Sequence, residues 1–152
     1  MRISIIAVGR LKSGPETDLV QQYLTRLTWP VTIREVEVRK KLPSSALRKK
    51  EAELLLSACP KTTTIVALDE RGKSLASRDF SKILGQWRDD GEAEITFMIG
   101  GADGLDPAII DRASLVLSFG SMTWPHQLAR GLLLEQLYRS QQILAGHPYH
   151  RD

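Results

Sequence analysis

The chain has 152 residues, 42% hydrophobic and 26% charged, with a net charge of +3. That is enough for one globular domain with a sizeable core and too little for two. A single Cys59 and three histidines exclude a disulfide framework and argue against a structural zinc site, and the mild basicity permits a polyanionic partner without demanding one. The first apolar run, Ile3–Val8, is too short for a signal-peptide core, and no run reaches the length of a bilayer span. The expectation is one cytoplasmic domain over residues 1–152 with no membrane partner.

Met1–Val8 reads as a strand closed by Gly9. Ser13-Gly14-Pro15-Glu16 has capping-box spacing, with Ser13 as the cap of a helix whose Leu19, Val20, Tyr23, Leu24 and Leu27 make one apolar face. Trp29-Pro30 ends it. Val31–Val38 is a second strand, and the change of parity between Val31/Ile33 and Val36/Val38 implies a bulge or burial on both faces. A basic segment follows, with Arg39, Lys40, Lys41, Arg48, Lys49 and Lys50 around Pro43-Ser44-Ser45. Ser44 or Ser45 is placed to cap a helix running to about Cys59. The charges are either a solvated helix start or an RNA-facing patch.

Thr62–Leu68 reads as a third strand, and Ser77 as the cap of a helix with Phe80, Ile83, Leu84 and Trp87 on its buried face. Glu94–Ile99 is a fourth strand running into Gly100-Gly101-Ala102-Asp103-Gly104. Asp106-Pro107 starts a short helix, and Leu115–Phe119 is the fifth strand. A short loop then leads to Pro125, which opens a long helix ending near Gly146. Its Leu132, Leu133 and Leu134 point about 100° apart, so something packs on more than one of its sides. Strands and helices alternate throughout, which predicts an α/β fold with a largely parallel sheet and helices on both faces.

Three places carry candidate chemistry. Ala67–Ser74, ALDERGKS, meets a loose phosphate-loop pattern, but Asp69 and Glu70 sit where a phosphate cradle needs uncharged backbone. Its alternative use is a strand-end turn bordering a pocket. The Gly100–Gly104 turn suits close approach to a ligand, although no acid follows at the position that holds a dinucleotide's ribose; Asp103 either bonds a ligand hydroxyl or shapes the turn. His126 stands at a helix N-terminus, where the dipole favours the neutral ring, and it either orders the loop or acts as a base. Glu135 and Arg139 are spaced as a helix-face ion pair. The tail Pro148-Tyr149-His150-Arg151 is either disordered or docked onto a site.

Three segments together carry a resemblance: Phe97–Leu105, then Ser121–Leu128 with Leu134–Arg139, and the terminal Pro148-Tyr149-His150-Arg151. With Ile5–Gly9 and Leu68–Lys73 in agreement, the chain resembles the ribosomal RNA large subunit methyltransferase H family. These are SPOUT-class enzymes that N3-methylate a pseudouridine of 23S rRNA. The resemblance implies a C-terminal trefoil knot, a rare exception to the rule against threaded chains. It also implies a homodimer, and S-adenosylmethionine as methyl donor with no metal. Carried onto this sequence, the donor is held by Leu68, Gly100, Gly101 and the run Gly120, Ser121, Met122, Thr123, Trp124 and Pro125. The tail residues Tyr149, His150 and Arg151 become the catalytic candidates, and the last helix is expected to have the knot on one side and a partner subunit on another. Arg39, Lys40, Lys41, Lys49 and Lys50 are candidates for contacts to rRNA. The other readings are a doubly wound nucleotide-binding oxidoreductase and a non-catalytic ribosome-binding factor.

Overall fold

A computed structural model describes residues 1–151; Asp152 lies outside them. The elements alternate as β1 (Arg2–Val8), α1 (Pro15–Arg26), β2 (Val31–Val36), α2 (Ser44–Ala58), β3 (Thr64–Ser74), α3 (Ser77–Asp89), β4 (Glu94–Ile99), α4 (Pro107–Arg112), β5 (Leu115–Ser118) and α5 (His126–Leu144). The five strands form one parallel sheet in the order β2-β1-β4-β3-β5. Parallel strands place their carboxyl ends along one edge of the molecule, where ligands of α/β sheets bind.

Side-chain alternation divides the core between two layers. Ile3, Ile5, Ala7, Ile95, Phe97 and Val66 face α1, α3 and α5; Ile6, Val8, Met98 and Ala67 face α2 and α4. The parity change in β2 has its explanation here. The strand pairs with β1 in unbroken register, so there is no bulge. Val31 and Ile33 pack into the first layer and Val36 into the second.

Four expected details need correction. Ser13, Ser44, Ser45 and Ser77 do not cap helices. Gly14, Pro43 and Ala76 stand at those positions without a side-chain cap, and Ser44, Ser45 and Ser77 already lie within the first turn. Proline fixes the entry to α1, and Ser77 spends its hydroxyl on Gln136 Oε1 at 2.7 Å, joining α3 to α5. Asp106 does cap α4, accepting from the Ala108 N–H at 3.0 Å.

The leucines of α5 are explained within the chain. Leu133, Leu134 and Leu137 are fully buried, with α1 and α3 packed along the helix. The approach is close because a Cβ on Gly131 would lie 2.5 Å from Leu19 of α1, and one on Gly85 of α3 would lie 2.8 Å from Leu144. A buried seam of Ser81 Oγ donating to Ser140 Oγ at 3.1 Å continues the α3–α5 contact. The helix is thus packed on more than one side, as its leucine pattern predicts, and these three leucines are covered within the chain. Only Leu132 turns aside, into a cavity beside Trp124 and Glu135.

Strand β3 is longer than its apolar run. Leu68 and Lys73 both align with Leu117 of β5, so Asp69–Gly72 forms an excursion between two paired stretches. Asp69 closes it, accepting from the Arg71 backbone N–H at 2.9 Å and from its guanidinium at 2.7 and 2.9 Å. Gly72 then passes against the backbone of β5. A Cβ there would meet Val116 C and O at 2.6 Å, main-chain atoms that cannot step aside. Gly72→Ala is expected to lower the unfolding free energy by about 1–3 kcal/mol. Thermal unfolding checks it, with Tm falling about 2–4 °C per kcal/mol. An unchanged Tm would mean the two segments are not in contact.

Candidate active site

The carboxyl ends of β3, β4 and β5 open into a cavity of about 810 Å³, within the range of small-molecule sites. The three loops leaving those strands build it. Leu68 and the Asp69–Arg71 excursion form one wall, Gly100–Gly104 a second, and Gly120 with Met122–Pro125 the third. Of the donor-site candidates, Leu68, Gly100, Gly101, Gly120, Met122, Thr123, Trp124 and Pro125 meet here; Ser121 belongs to the same loop but does not line the cavity. The glycines have separate reasons. Gly104 and Gly120 turn at φ +80° and +111°, which favour glycine, and a side chain on either would project into open space. A Cβ on Gly100 would collide with the Gly104 backbone at 2.8 Å. Met122 and Trp124 remain exposed at the rim, at 73% and 43%.

Charge is arranged unevenly around this cavity. Asp69 is committed to Arg71, whose hydrogen bonds hold its carboxyl below the usual range despite burial. Behind Gly101, Glu51 of α2 is 5% exposed and its Oε1 has no partner. Burial, then the charge of Asp103, push its carboxyl above the ordinary range. His126 lines the cavity beside Gly9, and burial, then the charge of Arg130, hold its imidazole below its ordinary value. The ring is thus kept neutral chiefly by desolvation, where the sequence pointed to the helix dipole.

One turn along α5, Arg130 is the largest fully buried side chain, and sequence reading passed over it. It donates to Glu35 Oε2 of β2 at 2.5 Å and to the Gly9 carbonyl at 2.7 Å, tying the start of α5 to the ends of β1 and β2. Glu35 in turn accepts from the Leu11 N–H at 2.7 Å. The available signal was an arginine between Ala129 and Gly131 in a helix apolar nearly all round. Glu51 had a similar one, sharing a helix face with Leu55 four residues on.

The tail is docked rather than disordered. Tyr149 Oη donates to Glu135 Oε1 at 3.2 Å, and its ring meets the Tyr138 ring with centroids 4.8 Å apart. Arg139 Cζ lies 4.8 Å from the centre of the Tyr149 ring, and its Nη1 is 3.1 Å from His150 Nδ1. Arg139 also donates to Glu135 at 2.5 Å, the expected helix-face pair, now shared with the tail. Burial, followed by hydrogen bonding to Tyr23, pushes the Tyr149 phenol up to about 12, so it stays protonated at neutral pH. Within one chain Tyr149, His150 and Arg151 do not line the large cavity. Tyr149 attaches to α5 through Glu135, which faces the neighbouring smaller cavity, and His150 through Arg139. Arg39, Lys40, Lys41, Lys49 and Lys50 are all exposed, with Lys50 paired to Glu53 at 3.0 Å.

Comparison with known proteins places this geometry. The family model described as "Predicted SPOUT methyltransferase" matches residues 1–150. The ribosomal RNA large subunit methyltransferase H of Rhodospirillum centenum is 56% identical over 151 residues, covering 99% of each chain. That of Paramagnetospirillum magneticum is 52% identical over the same span and coverage. Among solved structures, the SpoU methyltransferase AviRb of Streptomyces viridochromogenes, in complex with AdoMet, superposes with a TM-score of 0.50 at 14% identity. That match covers 94% of this chain and 61% of the other, a likeness of fold. With a parallel α/β sheet, a glycine-edged cavity at its carboxyl ends and this identity along the whole chain, the protein belongs to the ribosomal RNA large subunit methyltransferase H family of SPOUT methyltransferases.

Proposed function

We propose that the protein is an S-adenosylmethionine-dependent enzyme that methylates N3 of a pseudouridine in 23S rRNA. It acts as a cytoplasmic homodimer of single-domain subunits on the large subunit or the assembled ribosome. The observation that carries this reading is the cavity edged by Leu68, Gly101, Gly120 and Met122–Pro125. Its fit to the donor rests on the open space beside Gly104 and Gly120, which leaves backbone groups accessible, and on the unmet polar atom of Glu51. The trefoil knot belongs to the same reading.

Bound S-adenosylmethionine supplies an activated methyl group, so the chain's own task is alignment and proton management. N3–H of a uracil-type base is a weak acid, and its proton must leave as the methyl arrives. His150, held by Arg139, is the candidate to take it. Arg151 is exposed and suited to a phosphate or the base's carbonyl oxygen. Because the tail docks away from its own chain's large cavity, this assignment has the tail of one subunit complete the donor site of the other. The uridine is splayed from its loop to be read on its edge.

Calorimetry tests the donor. S-adenosylmethionine should bind and a nicotinamide dinucleotide should not; the reverse would favour the oxidoreductase reading, and binding of neither the non-catalytic factor.

Exposed Arg39, Lys40, Lys41, Lys49 and Lys50 are assigned to the RNA backbone. Replacing them with glutamine should weaken rRNA binding and flatten its salt dependence by about 0.7–0.9 in slope per contact removed. An unchanged slope would mark the patch as solvated surface.

A further inference from the structure

Two buried polar atoms on the α2 side of the large cavity have no partner assigned above. Glu51 Oε1 and Arg48 Nε are both buried without hydrogen-bond partners, and among the described residues neither side chain forms an ion pair. They lie three residues apart on α2, hence on one side of it. Arg48 lines the cavity, and Glu51 stands directly behind the lining residue Gly101, its Oε2 2.8 Å from where a Cβ there would lie. Arg130 also has an unpartnered Nε, but its charge is paired with Glu35, as that of Asp69 is with Arg71. An unanswered carboxylate and guanidinium at the edge of a ligand cavity are costly until a ligand meets them.

The geometry points to a subsite for the amino-acid end of the methyl donor, with Arg48 taking its α-carboxylate and Glu51 its α-ammonium. The inference rests on the donor reading of the cavity and adds which end of the donor faces α2. Adenine and ribose are neutral; the amino-acid end alone pairs a cation with an anion, and α2 offers the complementary pair one turn apart. Asp103, also on the cavity wall, adds to the negative charge that an ammonium relieves. Gly101 leaves room for the Glu51 carboxylate, since any side chain there would displace it.

Calorimetry on the full chain with two ligands tests this. S-adenosylhomocysteine carries the amino-acid end, and 5′-methylthioadenosine lacks it. Glu51→Gln and Arg48→Met should each weaken S-adenosylhomocysteine by about tenfold or more while leaving 5′-methylthioadenosine unchanged. Equal loss for both ligands, or loss for neither, would overturn the subsite. Arg48 is half-buried, so Arg48→Met keeps the test decisive should Glu51→Gln fail to fold. Wild-type protein that bound neither ligand would remove the donor reading, and the subsite with it.

Discussion

Removal of Tyr149 and the residues after it is expected to abolish methyl transfer while leaving S-adenosylmethionine affinity unchanged. The two halves of that result have separate physical origins. The cavity proposed for the donor is walled by loops after β3, β4 and β5, and among the described residues no tail residue lines it in the same chain. The tail instead docks on α5, Tyr149 on Glu135 and His150 on Arg139, with Arg151 exposed beside them. Loss of a positioned proton acceptor costs about 10²–10⁴ in rate, and loss of Arg151 removes an anion contact besides. His150→Ala alone should give most of the rate effect. Single-turnover methylation and calorimetry on the same variants separate the two terms. If His150→Ala and loss of Arg151-Asp152 both left the rate unchanged with donor binding intact, the tail would have no part in the chemistry. Mixing a tail-truncated chain with one impaired in the donor loop should restore activity, since one mixed dimer site is then whole.

Glu35→Ala is expected to produce the largest loss of stability of any single change outside the apolar core. Arg130 is fully buried, and Glu35 is its only charged partner. Breaking a buried pair by removing one partner costs about 3–5 kcal/mol, and the lower end applies because Glu35 is one-third open to solvent. The pair also carries a pH signature. Burial pushes the Glu35 carboxyl up, but the Arg130 hydrogen bond, the Leu11 N–H and the charges of Arg130 and Arg10 outweigh it, leaving it below its ordinary 4.5. A depressed carboxylate stabilises the fold above its unfolded value, and that contribution is lost as pH falls from about 4.5 through the folded value. Denaturant unfolding of wild type should therefore weaken across that acid window. Glu35→Gln should be less stable at neutral pH and flatter through it. Parallel curves for the two proteins would show that the pair contributes nothing to folding.

Strand and helix placement was legible because burial patterns are periodic: β4 ends where its apolar run ends, and the alternation of Ile5 with Ile6 or Phe97 with Met98 follows the two helical layers. The loops that wall the cavity were legible because glycine at a strand end suits close approach to a ligand, while their assignment to the methyl donor came from the family resemblance. Caps were misread at Ser13, Ser44 and Ser77 because a neighbouring proline or a long-range partner decided the turn, and spacing carries neither. The leucines of α5 called for packing on more than one side, and Gly131 and Gly85 bring α1 and α3 close enough to provide it. Arg130, Glu35 and Glu51 were passed over, and Arg48 was read only as one of a basic segment, for a common reason. A charged residue inside a helix or strand reads as surface until the fold shows what stands opposite.

The central claim is the reaction itself, and mass mapping of 23S rRNA from cells lacking this protein tests it most directly. One pseudouridine should lack a single N3 methyl group, and purified protein with S-adenosylmethionine should restore it to ribosomes from those cells. An unaltered methylation pattern, or failure of the protein to restore a missing mark, would contradict the account.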